Sequence, residues 1–251
     1  MTTDGTIVVT GGTGTLGRAV VARLRDAGRE PRVLSRRAGP GRTVGDLDTG
    51  AGLDDAVRGA SVVLHAATRP GHDVAATANL LRAVRRTGSH PHLIVVSIVG
   101  ADRISLGYYR QKVAVEDLVT SSGLPWTIQR ATQFHDLLDT IFCYTSWLPV
   151  LPVPADVRFQ PVDVRDLAER LATLAAGKPA GRAPDLGGPE VLSMGELAGV
   201  WLAVRGRRRP VLRVRVPGAV VRGFRSGANL AAHRERGRIT FVEFLGRAPG
   251  T

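Results

Sequence analysis

The sequence lacks the features that mark secreted and membrane-spanning proteins. Its 251 residues include a single cysteine, Cys143, which excludes an internal disulfide bond. No uninterrupted apolar run approaches the ~20 residues that a membrane span requires. Residues 1–6 also lack the basic and apolar segments of a signal peptide. These absences predict a cytoplasmic protein that has no membrane partner.

Lysine is scarce as well, and arginine supplies nearly all of the positive charge. Lys112 and Lys178 are the only lysines in a chain whose net charge is +12. The segment Arg205–Arg238 holds eleven arginines and one carboxylate, Glu235. Such a segment can bind nucleic acid or an anionic membrane, but few aromatic residues interleave with the arginines and no nucleic-acid motif accompanies them. We therefore expect a solvated basic surface and no nucleic-acid partner.

The length suits one α/β domain, and the 43% apolar and 22% charged residues are typical of a globular protein. Short apolar runs alternate with helix-like segments, which is the pattern of repeated βα units and a parallel sheet. The predicted strands cover residues 6–10, 31–35, 43–47, 61–66, 92–98 and 126–130, and the predicted helices cover 16–27, 53–58, 74–87 and 109–121. The predicted fold class is α/β, with a doubly wound parallel Rossmann sheet.

Beyond residue 130 the alternation weakens, and residues 148–154 predict a proline-rich loop or a segment on the substrate side. The other predicted elements are a helix over 164–176 with Asp163 as N-cap, a helix over 193–204 with a capping box of Ser193 and Glu196, and a strand over 213–216. No linker interrupts the chain. Residues 1–251 are therefore predicted to form one domain, with a core over about 1–150 and a small C-terminal lobe on the substrate side over about 151–251.

The clearest motif is a glycine-rich turn between the first predicted strand and the first predicted helix, where a dinucleotide-binding fingerprint lies. Its glycines have the spacing GxxGxxG. Glycine allows a tight turn and lets a pyrophosphate approach the backbone, and the free amides at the helix start bind the anion. The predicted phosphate-binding residues are Gly11, Thr13, Gly14, Thr15, Leu16 and Gly17.

The end of the second predicted strand indicates which dinucleotide binds. An NAD site usually carries an acidic residue there, about 20 residues after the glycines, to bind the ribose 2′-hydroxyl. Here Ser35, Arg36 and Arg37 occupy that position. The arginines can hold a 2′-phosphate through charge-assisted hydrogen bonds, so the predicted cofactor is NADP(H) rather than NAD(H).

Two further strand ends provide candidate cofactor contacts. At the end of the third predicted strand, Asp46 can accept a hydrogen bond from the adenine amino group and Leu47 can flank the ring. At the end of the fourth, the small residues Ala66, Ala67 and Thr68 leave room for the cofactor. Because the carboxyl ends of parallel strands meet at one edge of a sheet, we expect these residues to lie beside the glycine turn.

Taken in order, these motifs resemble the atypical and extended short-chain dehydrogenase/reductases, especially the NmrA-like NAD(P)-binding group. The resemblance extends over about residues 5–190 and includes TGGTGTLG, SRR, GDL, LHAAT, VVSIVG, YYRQKVAVEDLV, GLPWTIQRATQF and QPVDVRDLA. It implies a Rossmann fold, an NAD(P) cofactor and, in many members, a reductase activity on a small organic substrate. It implies no particular substrate, and some members bind the cofactor without turnover.

The resemblance also implies a catalytic Tyr-x-x-x-Lys pair with an upstream serine. Tyr108 and Lys112 have that spacing, which places both side chains on one face of a helix. The tyrosine would give a proton to a carbonyl oxygen, while the ammonium favours the phenolate left behind and can hold the nicotinamide ribose. Ser97 is the candidate for a hydrogen bond to the substrate carbonyl, and Tyr109 competes with Tyr108 if the helix begins differently.

The remaining candidates carry less chemical information. Gln133 and Phe134 follow the sixth predicted strand and are expected to line the substrate pocket. His135 is interpreted as a loop histidine, and His65, inside a strand, as a hydrogen-bonded core residue. The histidines show no spacing typical of metal ligands, so no metal site is predicted.

The sequence therefore predicts an NADPH-dependent oxidoreductase that transfers a hydride to a small, apolar carbonyl, quinone or enone. A non-catalytic NADP(H)-binding redox sensor is the first alternative, although a sensor has no need of Tyr108 and Lys112. A nucleotide-sugar epimerase or dehydratase is the second, although residues 151–251 are short for a nucleotide-binding C-terminal domain. The sequence leaves open whether the protein is a monomer or a homodimer.

Overall fold

The computed structural model describes residues 5–232 and 236–247 of the chain. Within those ranges the strands are β1 (Thr6–Thr10), β2 (Arg32–Ser35), β3 (Arg42–Val44), β4 (Ala60–His65), β5 (His92–Ile98), β6 (Trp126–Ala131), β7 (Leu151–Pro154), β8 (Arg158–Phe159), β9 (Gly181–Arg182), β10 (Leu192–Ser193) and β11 (Val211–Val214). The helices there are α1 (Thr15–Asp26), α2 (Leu53–Val57), α3 (Asp73–Arg86), α4 (Gly107–Thr120), α5 (His135–Thr145), α6 (Val164–Ala176), α7 (Met194–Val204), α8 (Ala219–Arg225) and α9 (Phe241–Arg247). None of the helices in the described part of the chain has the length and apolar character to cross a membrane.

Seven strands form the central sheet in the order β3-β2-β1-β4-β5-β6-β9, and they run parallel. The strand order reverses between β1 and β4, whose pairing aligns Thr10 with His65. In sheets of this kind a ligand crevice forms outside the carboxyl ends of the strands at the reversal. The topology confirms the predicted doubly wound Rossmann sheet. It also indicates that a ligand site would lie at the carboxyl ends of β1 and β4.

The predicted elements of the first half agree with the structure to within two residues at their ends, apart from the third strand. The structure ends β3 at Val44 rather than at residue 47. The chain turns there because the Asp46 carboxylate accepts the backbone N–H of Asp48 at 2.9 Å, which closes an Asx-turn. Asp46 and Leu47 therefore lie in the loop after the strand and not at its end.

The prediction of a loop was wrong for residues 151–154. Leu151–Pro154 is strand β7, which pairs in parallel with β11. Leu151 and Val153 are buried in the core, and the two prolines alternate with them on the other face. Because the partner strand is distant in sequence, the proline-rich composition alone did not indicate this pairing. The late strand itself covers Val211–Val214, so it begins earlier than the predicted residues 213–216.

The chain divides into two compact units by its internal contacts. Unit 1 comprises residues 1–97, 107–129 and 167–183, and unit 2 comprises residues 98–106, 130–166 and 184–251. Unit 1 holds almost the whole central sheet. Unit 2 draws on segments from both sides of residue 150, so the two units alternate along the chain.

The main core of unit 1 lies between the sheet and helices α2, α3 and α4. Fully burying one of its aliphatic side chains contributes about 1.5–3 kcal/mol relative to exposing it. The buried side chains include Val8, Val63 and Leu93 from the strands, and Leu53, Leu80, Val84, Val115 and Val119 from the helices. This packing holds the helices that follow β4 and β5 against the sheet.

Unit 2 has a separate core around Phe142, Trp201 and Phe241, all of which are fully buried. The indole N–H of Trp201 donates to the Asp139 carboxylate at 2.7 Å, and Arg205 forms an ion pair with the same carboxylate at 3.2 Å. The indole N–H is therefore satisfied inside the apolar core, as a buried tryptophan requires.

Both N-caps predicted for the later helices are confirmed. The Ser193 hydroxyl accepts the backbone N–H of Glu196 at 3.2 Å, while the Glu196 carboxylate accepts the N–H of Ser193 at 2.7 Å. Asp163 accepts the N–H of Arg165 at 2.8 Å in the first turn of α6. These bonds satisfy amides that the start of a helix leaves without intrahelical partners.

Several arginines of the basic C-terminal segment have structural contacts in unit 2. The guanidinium of Arg207 lies over the Trp201 ring, 5.5 Å from its centroid. Arg225 donates to the carbonyl oxygen of Ala155 at 3.3 Å. Glu235, the carboxylate noted within this segment, lies outside the described residues. The arginines thus contribute to the packing of unit 2 as well as to its surface charge.

His65 is the hydrogen-bonded core residue that the sequence predicts. Its ring nitrogen Nδ1 lies 2.7 Å from Thr10 Oγ1, and Nε2 lies 3.1 Å from Thr77 Oγ1. Burial, with a smaller contribution from the Lys112 ammonium, lowers the pKa of His65 to about 4. The imidazole is therefore neutral in the folded protein near neutral pH, and protonating it would place a charge inside unit 1.

We predict that His65 makes the folded protein sensitive to mild acid. The pKa of an unfolded histidine is about 6.5. Between pH 6.5 and 4 the unfolded state therefore binds a proton at His65, whereas the folded state does not. Stability is therefore lost as the pH falls from about 6.5 towards 4. Between pH 7 and pH 5 the wild type should lose about 2 kcal/mol more of its unfolding free energy than His65→Gln does. Urea unfolding at the two pH values measures this difference.

The matched control is His90→Gln, because His90 is exposed. Its loss of stability between the two pH values should equal that of the wild type. If His65→Gln also followed the wild type, buried His65 would not be a source of the acid sensitivity.

Candidate functional site

The glycine turn of unit 1 joins the end of β1 to the start of α1. The N–H of Gly14 donates to the carbonyl oxygen of Gly11 at 2.9 Å, and the Arg18 side chain donates to the carbonyl oxygen of Thr13 at 2.7 Å. Helix α1 begins at Thr15, directly after Gly14 as N-cap. Because glycine has no side chain to cap the helix, the first amides of α1 point outwards as anion donors.

Two glycines of this turn leave no space for a side chain. A Cβ on Gly17 would lie 2.0 Å from the carbonyl oxygen of Gly11, and one on Gly11 would lie 2.6 Å from the backbone nitrogen of Ala67. Gly11 also has a φ of +68°, in the left-handed region that favours glycine. At Gly14 an added Cβ would have only the Gly11 oxygen nearby, at 3.3 Å, and would fill the space at the helix start. The shape and the donors of the turn fit a pyrophosphate.

The loop after β2 presents two cationic side chains. Ser35 ends the strand, and its hydroxyl accepts the backbone N–H of Arg37 at 3.2 Å. Arg36 and Arg37 are exposed, and neither guanidinium has a hydrogen-bond or ion-pair partner within residues 5–232 and 236–247. Both therefore keep their donors available for an anion. That this anion is a 2′-phosphate stays a prediction.

The loop after β3 is held by its own hydrogen bonds. Asn79 of α3 donates to the carbonyl oxygens of Leu47 at 2.8 Å and Asp48 at 3.0 Å. Leu47 packs against the unit 1 core, and one Asp46 oxygen already accepts the N–H of Asp48. The structure thus orders this loop, while adenine binding by Asp46 and Leu47 stays a prediction.

The ends of β1 and β4 are tied together beside the glycine turn. The N–H of Ala66 donates to the carbonyl oxygen of Thr10 at 3.2 Å, and the N–H of Ala67 donates to the Thr10 hydroxyl at 3.4 Å. Thr68 follows immediately and turns its hydroxyl towards Tyr108, with 2.8 Å between the two oxygens. The small residues after β4 thus connect the phosphate turn to the predicted proton donor.

Tyr108 and Lys112 lie on one face of α4, as their spacing predicts. The Lys112 ammonium is 5.5 Å from the centroid of the Tyr108 ring. It forms an ion pair with Asp73 of α3 at 2.9 Å, and both side chains are more than 90% buried. Tyr109, the competing candidate, is buried in unit 1. The geometry therefore favours Tyr108, whose hydroxyl reaches the group of polar side chains at the sheet edge.

The Asp73 carboxylate accepts hydrogen bonds from other donors in addition to its ion pair with Lys112. The Thr68 hydroxyl donates to one carboxylate oxygen at 2.8 Å, and the backbone N–H of Arg69 donates to the other at 2.6 Å. Burial by itself would raise the pKa of Asp73, but the Lys112 ammonium and the hydrogen bonds outweigh it and hold this pKa below its ordinary value. The carboxylate is therefore ionised at neutral pH.

Sequence reasoning missed Asp73, and also Gln111, whose side-chain oxygen accepts the N–H of Gly71 at 2.8 Å. The available signal was the position of Asp73 as the first residue of a helix that follows a strand end. An acidic residue there is common for the helix dipole alone. Only the packing of α3 beside α4 makes it the counter-ion of Lys112.

Ser97 lies near the end of β5 and is 3% exposed. Its hydroxyl has no hydrogen-bond partner in the described part of the chain, so the structure does not join it to Tyr108. A buried hydroxyl without a partner carries a desolvation cost that a bound polar group would remove. A hydrogen bond from Ser97 to a substrate carbonyl stays a prediction.

The other candidates belong to unit 2. Gln133 is buried, and its backbone carbonyl oxygen accepts the N–H of Val162 at 2.9 Å. Phe134 is the N-cap residue of α5. Their contact with a substrate stays a prediction.

His135 is the first residue of a helix, so its interpretation as a loop histidine was wrong. Its Nε2 lies 3.1 Å from the carbonyl oxygen of Ile239, and its ring stacks on Phe244. Since a carbonyl oxygen only accepts, Nε2 carries the proton. The packing of α5 against α9 in unit 2 explains the burial of this side chain, which local sequence did not indicate.

Comparison with known proteins agrees with this geometry. Residues 11–141 match a family described as NAD(P)H-binding. A (4-alkanoyl-5-oxo-2,5-dihydrofuran-3-yl)methyl phosphate reductase of Streptomyces griseus is 32% identical in an alignment that covers 80% of this chain and 74% of the relative. A ceramide reductase of Caulobacter vibrioides is 30% identical in an alignment that covers 89% of this chain and 78% of the relative.

Solved structures show the same fold at lower sequence identity. An NADPH-dependent quinone oxidoreductase of Escherichia coli, in complex with NADPH, has a TM-score of 0.82 at 18% identity, over 95% of this chain and 98% of its own. A triphenylmethane reductase of Citrobacter, in complex with NADP(H), has a TM-score of 0.79 at 18% identity, over 96% and 99%. The family match covers the glycine turn and α4 and confirms the resemblance seen in the motifs: the chain belongs to the NAD(P)H-binding family of Rossmann-fold proteins.

Proposed function

We propose that the protein is an NADPH-dependent reductase of a small, apolar carbonyl, quinone or enone. The observation that carries the proposal is the hydrogen-bonded group of Tyr108, Thr68, Asp73 and Lys112 beside the glycine turn. Binding of a dinucleotide alone does not require a hydroxyl held over a buried ion pair. The two curated relatives named above as reductases support the same class of reaction.

The residues of the turn and of the β2 loop would hold the cofactor. The amides at the start of α1 bind the pyrophosphate, and Arg36 and Arg37 bind the 2′-phosphate. Bound NADPH supplies a hydride to the carbonyl carbon of the substrate. Thr68 and Lys112 would lie on the nicotinamide side of the cofactor.

Tyr108 gives its hydroxyl proton to the oxygen of the carbonyl that receives the hydride. A carbonyl substrate thereby becomes an alcohol, and Tyr108 becomes a phenolate. Tyr108 is partly exposed, so it regains its proton from solvent. The Lys112 ammonium stabilises the phenolate in the interval by its positive charge. Ser97 donates a second hydrogen bond to the substrate oxygen, which satisfies its own buried hydroxyl.

We predict that Arg36→Ala weakens NADPH binding by about 10- to 100-fold, the worth of one charge-assisted hydrogen bond. NADH affinity should stay unchanged, because NADH has no 2′-phosphate. Calorimetric titrations of wild type and variant with NADPH, NADP+, NADH and NAD+ measure both effects. Arg58→Ala is the control. Arg58 lies just before the N-terminal end of β4, whereas the candidate cofactor residues follow the C-terminal end of that strand. Equal affinities for NADPH and NADH in the wild type would contradict the NADP(H) assignment.

We predict that Tyr108→Phe lowers the turnover of a quinone and enone panel by about 100-fold or more, the usual contribution of a positioned proton donor. NADPH affinity should change by less than about twofold, because the phenol ring is retained. Tyr144→Phe serves as the control for loss of a hydroxyl at an exposed site in unit 2. Full turnover in Tyr108→Phe would contradict the assignment of Tyr108 as the proton donor. NADPH binding without turnover of any compound by the wild type would favour a redox sensor.

A further inference from the structure

Asp73 is a buried carboxylate on which Lys112 and Thr68 converge. Lys112 Nζ and Thr68 Oγ1 both lie within hydrogen-bond distance of the same carboxylate oxygen, at 2.9 Å and 2.8 Å. The Asp73 and Lys112 side chains are 3% and 8% exposed. A buried ion pair carries a large desolvation cost and seldom improves stability over an apolar pair. Its presence beside Tyr108 therefore calls for a functional reason.

The protons of this group can be assigned from the contacts. An ionised carboxylate only accepts hydrogen bonds, so the Thr68 hydroxyl proton points at Asp73. A hydroxyl has one proton, which leaves the Thr68 oxygen as acceptor in its 2.8 Å contact with Tyr108. Tyr108 must then be the donor in that contact. The arrangement requires a neutral Tyr108 whose hydroxyl is held in one direction.

The charges lead to the same conclusion. Lys112 alone would favour the phenolate form of Tyr108, because an opposite charge nearby stabilises an anion. Asp73 lies closer to the ammonium than the Tyr108 ring does and offsets its charge. The Asp73 carboxylate is also separated from the Tyr108 hydroxyl by a single threonine oxygen, where it opposes a second negative charge. The pair as a whole therefore leaves Tyr108 in its proton-carrying form.

We propose that Asp73 and Thr68 are positioning residues for the proton donor: Asp73 fixes Lys112 and offsets its charge, and Thr68 accepts the Tyr108 hydrogen bond, so that Tyr108 is neutral and oriented before substrate arrives. The inference deepens the proposed function and rests on it. A tyrosine that starts as an acid serves reduction of a carbonyl, whereas oxidation of an alcohol requires a base.

A titration of Tyr108 tests this proposal without any substrate. The chain has three tyrosines, so the Tyr108 signal is obtained by difference. In each background, wild type or variant, the phenolate absorbance of the same protein carrying Tyr108→Phe is subtracted. Asp73→Asn removes the negative charge and leaves Lys112 uncompensated. We predict that the midpoint of the Tyr108 titration falls by about one pH unit in this variant.

Asp48→Asn is the matched control. Asp48 is a loop carboxylate whose ion pair, at 3.0 Å, is with Arg69 rather than with Lys112, so this variant should keep the wild-type midpoint. An unchanged midpoint in folded Asp73→Asn would overturn the proposal. That result differs from retained turnover in Tyr108→Phe, which would overturn the proton-donor role itself.

Thr68 variants provide a second test that leaves the ion pair intact, in case Asp73→Asn fails to fold. Thr68→Val removes the acceptor for Tyr108 at nearly constant volume, whereas Thr68→Ser retains the hydroxyl. We predict a lower Tyr108 midpoint in Thr68→Val and a restored one in Thr68→Ser. In turnover, Thr68→Val should lower kcat by about tenfold, the worth of one hydrogen bond, with KM and NADPH affinity little changed. Equal behaviour of the two variants, or a loss confined to NADPH affinity, would show that Thr68 is only a wall of the cofactor site.

Discussion

The parallel pairing of β1 with β4 is the constraint on which the site depends. Because both strands run in the same direction, their carboxyl ends meet at one edge, and the strand order reverses between them. The glycine turn continues from one end and Thr68 follows the other. The Thr10 hydroxyl bridges the two ends through His65 and the amide of Ala67. The glycine turn and Thr68 are both positioned from this edge.

Hydrogen bonds and an ion pair explain why His65, Asp73 and Lys112 are tolerated inside unit 1. His65 is buried but uncharged and bonded through both ring nitrogens, so its burial costs little. Asp73 and Lys112 are buried as ions and compensate each other, with further donors completing the carboxylate. An apolar pair would hold α3 against α4 at lower desolvation cost. Our proposal that Tyr108 is a proton donor gives a reason for the ionised pair, because the pair controls the charge beside the Tyr108 hydroxyl.

The core of unit 2 differs from that of unit 1 in its composition. Its core is built from aromatic side chains on α5, α7 and α9, and polar groups close it at the edges. The Asp139 carboxylate accepts a hydrogen bond from the Trp201 indole and forms an ion pair with Arg205. One carboxylate thus satisfies a buried donor and a cation. Arginines that sequence reasoning placed on a solvated surface thus also stabilise the packing. The basic composition of this segment has a structural explanation in part.

The sequence by itself determined the features that depend on local chemistry. The period of apolar runs, the glycine spacing and the capping residues indicated the strands, the phosphate turn and the helix starts to within a residue or two, since each depends on neighbours in the chain. The early end of β3 was missed because an Asx-turn at Asp46 competes with the strand pattern. Strand β7 was missed because its partner is far away in sequence.

Tertiary structure alone decided which side chains share the site. The spacing of Tyr108 and Lys112 put them on one helical face, but nothing near them in sequence identified Asp73 and Thr68 as their partners. Asp73 begins α3 and Thr68 lies in the loop after β4, and only the packing of α3 beside α4 brings the carboxylate to 2.9 Å from the ammonium. Periodicity specifies the face that a side chain occupies, whereas the partner across an interface is set by the three-dimensional fold.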